Sequence, residues 1–270
     1  MSTTTAIAPV AVARRPQRAA PEPIPTGRLL AVELRKMFDT RAGFWLMSSI
    51  GILAVIATTA TIIFAPRDEL TYETFATAIG MPMAIVLPIV AILSVTSEWS
   101  QRSALTTFTL VPHRSRVIAA KATATLLIAV ASMLVAAAVG AVGNIVGTTI
   151  AGVDATWNIS LTEFAYIVLA NILGMFVGFM LGVVFRNSPA AVVGYFVYSL
   201  VLPGISSTLG AYQQWWQDNA GWFDHNSAST QLFNGSLTGE QWVQLGLTTT
   251  IWLIIPLVIG MRFLLRSEIK

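Results

Sequence analysis

Six stretches of this chain contain no charged residue, and each is long enough to cross a membrane as a helix. The stretches are Ala42–Ala65, Thr74–Ser97, Ala122–Val153, Phe164–Phe185, Asn187–Gln217 and Gln241–Met261. A helix needs about 20 mainly apolar residues to cross the hydrocarbon core of a bilayer, because each residue adds only about 1.5 Å. The pattern therefore predicts an all-α membrane protein with six transmembrane helices.

The overall composition agrees with a location in lipid. Hydrophobic residues make up 55% of the chain and charged residues only 11%, whereas soluble domains carry about 25% charged residues. A chain with so few charges cannot cover a water-exposed surface, so much of its apolar surface must face lipid. The absence of cysteine excludes disulfides, thiolate metal sites and cysteine nucleophiles.

The distribution of basic residues predicts the orientation of the spans. Of the 16 lysines and arginines, all except Arg67 lie before the first stretch, between the second and third, between the fourth and fifth, or after the sixth. These segments share one side of the membrane. Because loops rich in Lys and Arg stay in the cytoplasm, both termini are predicted to be cytoplasmic. We expect a multi-pass protein of the plasma membrane.

The N-terminal segment differs in composition from the rest of the chain. Residues 1–26 are rich in Ala, Pro and Thr and are predicted to form a disordered cytoplasmic tail. Their arginines are followed by prolines rather than by an apolar core, which argues against a signal peptide. The remaining residues, 27–270, are predicted to form one transmembrane domain.

Residues 27–41, directly before the first span, combine apolar and charged side chains in the manner of an amphipathic helix. We expect this helix to lie in the headgroup layer of the membrane. The alternative is that it is simply the cytoplasmic end of a helix. Its candidate functional residues are Glu33, Arg35, Lys36 and Arg41.

Proline residues inside the apolar stretches predict distorted helices. Pro82 and Pro88 predict a kink in the second span, because proline lacks the N–H that the helix needs. The Pro203-Gly204 pair predicts an interruption of the fifth span.

Two groups of glycines are spaced along single spans. A kink or break near Gly140, Gly143 and Gly147 would explain why the third stretch exceeds the length of a simple span. In the fourth span, glycines at intervals of four leave one helix face bare. This face can pack within the chain or against a second subunit. Its members are Gly174, Gly178 and Gly182.

The connection between the fifth and sixth spans, 211–241, is long and rich in aromatic residues. Tyr212, Trp215 and Trp216 are typical of a membrane boundary. These aromatic side chains favour a small extracellular cap or a re-entrant element over a mobile loop.

The chain lacks the motifs of several enzyme classes. None of its three lysines belongs to a phosphate-binding loop of the G-x-x-x-x-G-K-[ST] type, and no zinc motif is present. His113 and His225 lie in predicted loops, which argues against an intramembrane Ser–His protease. The predicted spans also hold no ionisable residue in their interiors, which argues against a proton-coupled carrier but leaves sodium coupling through backbone carbonyls open.

The connection between the second and third spans, 98–121, is the most informative loop. Residues 102–110 are predicted to form a short helix with an apolar edge, and Pro112 ends it. Such a helix suits docking into a cleft on a soluble partner; the alternative is an ordinary basic loop. The candidate coupling residues are Glu98, Arg102, Leu105, Phe108, Leu110, Pro112, Arg114 and Arg116.

This loop resembles that of the type-2 permeases of ATP-binding cassette (ABC) transporters. An acidic residue is followed by Thr and Leu positions, then by Pro112-His113-Arg114-Ser115-Arg116 and a lysine. The Glu33-Leu34-Arg35-Lys36 stretch and the six-span layout extend the resemblance over roughly 28–270. One departure is Arg102-Ser103, where many members of the family have Gly-Thr.

The resemblance implies a G-type exporter fold in which two copies of the chain, more often identical than different, pair in the membrane. Each copy would contact a separate ATP-binding subunit, which would hold ATP and Mg. This chain would then bind no cofactor and would not be an enzyme by itself. The helix at 27–41 and the coupling loop at 98–121 would receive the stroke of ATP binding, and 211–241 would form the extracellular cap.

The resemblance also implies a transport pathway between the two copies, lined by the second and fifth spans. The side chains there favour a hydrophobic or amphipathic substrate that is exported. The candidate cavity residues are Met81, Met83, Tyr195, Tyr198 and Ser199.

Two other functions stay open from the sequence. The chain could be a secondary transporter or channel that works without ATP, or a membrane scaffold that transports nothing. Transport that continues without an ATPase would distinguish the first alternative, and an ATPase that binds without responding to substrate would distinguish the second. Besides a protein partner, membrane lipid is the expected surrounding, and no feature predicts nucleic-acid binding.

Overall fold

The computed structural model describes residues 24–39, 41–100 and 114–266, which are almost entirely helical and contain no β-strand. The six longest helices carry the labels α2 to α6 and α9, and three shorter ones lie outside them. The helices are α1 (Thr26–Asp39), α2 (Arg41–Phe64), α3 (Tyr72–Ser100), α4 (Arg114–Ala151), α5 (Leu161–Phe185), α6 (Ser188–Tyr212), α7 (Gln214–Phe223), α8 (His225–Thr230) and α9 (Gly239–Arg266).

Six of these helices are long and apolar enough to cross a membrane, namely α2 to α6 and α9. The prediction of an all-α, multi-pass membrane protein is therefore confirmed. The sidedness of the termini and the plasma-membrane location stay predictions. Most of the predicted tail, 1–23, lies outside the described residues.

The two ends of the bundle differ. At one end, which we call the α1 end, helix α1 packs against α2 and α4. Helices α7 and α8 lie at the opposite end, which we call the cap end. The basic residues place the α1 end in the cytoplasm by prediction.

Side-chain caps set where several spans begin. The Ser160 hydroxyl accepts a hydrogen bond from the Glu163 N–H, and the Glu163 carboxylate accepts one from the Ser160 N–H, which defines the start of α5. Thr238 and Gln241 form the same capping box at α9. Such caps satisfy backbone N–H groups that have no partner inside the helix.

Helix α3 lies at the centre of the bundle and packs closely on α5. Gly178 allows this approach, because a Cβ atom at that position would lie only 2.5 Å from the carbonyl oxygen of Pro88. A Cβ on Gly182 would lie 3.1 Å from Val95, while Gly174 has open space around it. Two of the three glycines on this face therefore pack within the chain, and not against a second subunit.

Helix α4 runs through 38 residues without a break, so of the predicted kink or break at its glycines, the break is wrong and the kink stays a prediction. Those glycines instead admit side chains from neighbouring helices. A Cβ on Gly143 would clash with Thr58, and a Cβ on Gly147 would clash with Phe75. At roughly 57 Å by the rise of 1.5 Å per residue, α4 is longer than the bilayer core and extends beyond it.

Proline widens α6 and α9 instead of interrupting them. A π-turn at Val197–Val201 precedes Pro203, and a second at Thr250–Ile254 precedes Pro256. The predicted interruption at Pro203-Gly204 is therefore wrong, since α6 continues to Tyr212.

In the π-turn register the carbonyl of Tyr198 would need the N–H that Pro203 lacks. The side-chain amide of Asn226 in α8 donates to this carbonyl at 3.0 Å.

Candidate functional site

Four charged side chains meet at the α1 end of the bundle, and we call them the charge cluster. They are Glu33 and Lys36 from α1, Glu98 from α3 and Lys121 from α4. Lys121 is only 1% exposed and Glu98 only 2%. Burial of charges to this degree is uncommon unless they are paired.

Lys121 lies at the centre of the charge cluster. Its Nζ is 2.5 Å from Glu33 Oε2 and 3.3 Å from Glu98 Oε1, and it also donates to the carbonyl of Ser94 at 3.0 Å. Lys36 Nζ lies 2.8 Å from Glu33 Oε1 and 3.5 Å from Glu98 Oε1. Each lysine thus contacts both glutamates, and the four formal charges cancel.

The sequence places Glu33 on the buried face of α1. Leu30, Leu34 and Met37 line this face at helical spacing and pack against the core, and Glu33 lies one turn before Met37. Glu33 therefore meets the bundle at the point where Lys121 emerges from the first two turns of α4. The apolar face of α1 supplies the packing, and the ion pairs determine its position.

Electrostatics keep Glu33 and Lys36 charged. Burial acts to raise the pKa of the Glu33 carboxyl, but Lys121 and Lys36 outweigh it and the pKa is lowered. Burial likewise acts to lower the pKa of Lys36, but Glu33 and Glu98 outweigh it and the pKa is raised. Both groups therefore carry their charge at neutral pH. One acceptor is left over, because Glu98 Oε2 is buried without a hydrogen-bond partner.

The first turn of α4 makes two further connections at this end. The Arg114 guanidinium donates to the carbonyl of Leu264 near the end of α9 at 3.0 Å. The Arg116 guanidinium donates to the carbonyl of Ile24, just before α1, at 2.6 Å. Helix α4 therefore holds both the start of α1 and the end of the last span.

This arrangement connects three helices at the α1 end. Helices α3 and α4 flank the connection 101–113, and α1 is tied to both of them by the charge cluster. A displacement of that connection would therefore reach α1, α3 and α4 together. In the part of the chain that the structure describes, no group of three His, Asp or Glu residues could hold a metal ion.

The structure describes three of the eight predicted coupling residues, Glu98, Arg114 and Arg116. Arg114 and Arg116 lie in α4 and bind other segments of the chain. The Glu98 side chain is buried in the charge cluster and is not exposed for docking, so its role in coupling stays a prediction. The remaining residues lie outside the described part of the chain: Arg102, Leu105, Phe108, Leu110 and Pro112.

The residues predicted for the pre-span helix also separate. Glu33 and Lys36 join the charge cluster, whereas Arg35 is exposed and pairs with Asp39 at 2.6 Å. Arg41 begins α2, since α1 ends at Asp39. The predicted helix, 27–41, therefore begins one residue too late and ends two residues too late.

Two expectations about buried polar groups are corrected. The bundle interior is not free of ionisable residues, because Glu98 and Lys121 are buried inside long helices. His225 is not a loop residue, because it begins α8 and is only 2% exposed, with Nδ1 3.4 Å from Thr248 Oγ1. Sequence reasoning missed the burial of Glu98 and Lys121, since these residues flank the apolar stretches and look like ordinary charges at a membrane boundary.

Three of the five predicted cavity residues come together. Tyr195, Tyr198 and Ser199 line one cavity near the cap end. Met81 is 74% exposed on the outside of the bundle, and Met83 is buried in the core with only 1% exposed. Neither methionine lines this cavity, and their place in a pathway between two copies stays a prediction.

The segment between α6 and α9 is folded onto the bundle. Ala228 of α8 and Leu232 of the following turn are buried against Ala170 of α5 and Leu245 of α9. Ala170 lies about 14 Å below the start of α5 by helical rise, so α8 dips between the spans as a re-entrant element would. The segment is thus an ordered element, and its extracellular location stays a prediction.

No family model matches the chain, and no curated protein matches it. Its function is therefore inferred from its own residues. The clearest features among these are the charge cluster at the α1 end and the cavity near the cap end.

Proposed function

We propose that this chain is the membrane-spanning permease subunit of an ABC exporter, driven by a separate ATP-binding subunit. The observation that carries the proposal is the charge cluster. It joins α1 to the two helices that flank the connection 101–113, and so it links the two segments that the resemblance assigns to energy coupling. The chain has no phosphate-binding loop of its own, so its energy would come from a partner.

The packing of the helices indicates how a movement driven by ATP binding would spread through the bundle. Movement of the connection 101–113 would displace the end of α3 and the start of α4 together, because Lys121 bonds to Ser94 and Glu33 and pairs with Glu98. Helix α3 packs along α5 and also contacts the first part of α6. The displacement would therefore reach the cavity near the cap end through α3, whose residues line that cavity.

The ATP-binding partner would bind at the α1 end, and two copies of the permease would form the complete membrane unit. The substrate in this proposal is a hydrophobic or amphipathic molecule. In this scheme ATP and Mg bind only to the partner.

We expect Leu105→Asp combined with Phe108→Asp to abolish assembly with the co-encoded ATP-binding subunit, because two charges would replace the apolar edge of the proposed coupling helix. The measurement is co-purification of the two subunits, followed by ATP hydrolysis of the reconstituted complex in lipid vesicles. The spans contain neither residue, so the helical content of the permease stays unchanged by circular dichroism.

A matched control places the same two charges at the cap end. Leu161 and Tyr212 are 84% and 83% exposed, and Leu161→Asp with Tyr212→Asp leaves assembly intact. Normal assembly and ATP hydrolysis in the Leu105/Phe108 variant would remove the coupling-helix assignment. Vesicle transport that is unchanged without the ATP-binding subunit and ATP would instead identify an ATP-independent transporter.

A further inference from the structure

A cavity near the cap end lies within a single copy of the chain, and we call it the cap-end cavity. Its volume is 290 Å³, close to the lower end of the range of about 300–1,000 Å³ for small-molecule sites. Its walls come from α3, α5, α6, α8 and the turn that follows α8. A second copy of the chain is therefore not needed to form it.

Part of the lining of the cap-end cavity is polar. The Ser199 hydroxyl is buried and has no hydrogen-bond partner among the described residues. The Tyr195 hydroxyl itself donates to the carbonyl of Ala84 at 2.6 Å. Asn171 also lines the cavity. A buried hydroxyl without a partner is costly unless a ligand or water completes it.

Other lining residues are apolar. Ile85, Pro88, Leu200 and Phe233 line the cavity, and Gly174 adds no side chain. Ile85, Leu200 and Phe233 are each at least 40% exposed, so the cavity is open on the side of the bundle where they lie. A molecule that partitions into lipid could reach the cavity from that side.

The cavity offers no partner for a charged group. None of its lining residues is Asp, Glu, Lys or Arg. Burial lowers the pKa of His225 to about 4, although Asp224 opposes the shift, so the imidazole is neutral at physiological pH. Both carboxylate oxygens of nearby Asp224 already accept hydrogen bonds, from the Asn226 N–H and the Ser227 hydroxyl. A charged ligand would lose its hydration here without compensation.

We propose that the cap-end cavity binds a small uncharged amphipathic molecule. Its apolar body packs against Ile85, Pro88 and Phe233, and its hydroxyl or carbonyl group bonds to Ser199. The assignment of this molecule as the transported substrate rests on the proposed function. Binding itself does not, because the cavity is complete in one chain and needs neither ATP nor a partner.

The test uses 1-naphthol, which combines an aromatic body with one hydroxyl, and 1-naphthalenesulfonate, which carries a charge on the same ring. Equilibrium dialysis measures their binding to the purified chain in detergent, with protein-free micelles as the background. We expect saturable binding of 1-naphthol and none of the sulfonate. Equal binding of both probes would overturn the proposal.

A cavity-filling variant locates the site. Gly174 lines the cavity, and no neighbouring atom lies within 4 Å of the position that a Cβ would take there, so the side chain of Gly174→Leu can extend into the cavity. We expect it to lose 1-naphthol binding. Gly246→Leu is the matched control, because Gly246 is also helical with open space but lies outside the cavity. Binding that survives Gly174→Leu would place the site elsewhere.

A milder variant tests the hydroxyl without changing the shape of the cavity. Ser199→Ala should weaken 1-naphthol binding about fivefold, the size expected for one net hydrogen bond, and leave binding of naphthalene unchanged. An equal loss for both probes would contradict the role of Ser199.

If the probe binds as expected but the ATPase never couples, the proposed function fails alone. If the ATPase couples and no probe binds, only this inference fails.

Discussion

Replacing Lys121 with methionine is expected to destabilise the protein by about 3–5 kcal/mol, because removal of one partner leaves buried charges uncompensated. Glu33 and Glu98, both buried, would lose their shared cation, and Lys36 alone would have to neutralise them. The thermal midpoint in lipid nanodiscs should fall by roughly 10 °C. Helix α1 should also become more accessible to protease, since its ion pair with α4 is lost.

The matched control is Arg35→Met, which also removes one cation from an ion pair. Arg35 and its partner Asp39 are 79% and 59% exposed, and exposed pairs contribute about 0–1 kcal/mol. Adding Glu33→Gln to Lys121→Met should recover part of the lost stability, because one uncompensated carboxylate is then neutral. A Lys121→Met protein as stable as Arg35→Met would show that the charge cluster does not hold α1 in place.

Replacing Gly178 with leucine is expected to prevent α3 and α5 from packing. A Cβ at this position would lie 2.5 Å from the Pro88 carbonyl oxygen and 2.9 Å from the Pro88 Cα, and these are backbone atoms that cannot rotate away. Even Gly178→Ala should cost about 1–3 kcal/mol through overpacking, although alanine is the better helix former by about 1 kcal/mol. The leucine variant should give little folded monodisperse protein.

The matched control for this prediction is Gly174→Ala, one turn earlier on the same helix. Gly174 has open space around it, so alanine there should be neutral or slightly stabilising because of its helix propensity. Both variants are compared by the yield of monodisperse protein on size exclusion and by the thermal midpoint. If Gly178→Ala matches Gly174→Ala, helices α3 and α5 do not approach each other as closely as the structure shows.

Local patterns were sufficient to predict most of the helical architecture. A span is recognised from its own residues, because crossing a bilayer requires an uninterrupted run of apolar side chains with internally bonded backbone. The prolines were a harder case. Pro203 predicted an interruption, but a π-turn and the Asn226 side chain together accommodate it. The second of these lies in another helix, so no local pattern could reveal it.

The glycines likewise show what neighbouring residues can predict and what depends on distant parts of the chain. The spacing of Gly174, Gly178 and Gly182 correctly indicated a helix face that admits close packing, but it left the partner open. Only the folded chain identifies Pro88 of α3 as that partner for Gly178. The glycines of α4, which were predicted to break the helix, instead admit Phe75 and Thr58.

By itself, the sequence determined the six spans and the amphipathic character of α1, because hydrophobicity and helical period are properties of neighbouring residues. Tertiary structure alone decided that Glu33, Glu98 and Lys121 form one buried cluster and that α8 folds inward to complete the cap-end cavity. The physical reason is that a charged residue at the end of an apolar stretch has the same local sequence whether its side chain faces water or is buried. Whether it is buried depends on partners 27 or 88 positions away, which only the packing of the helices brings within reach.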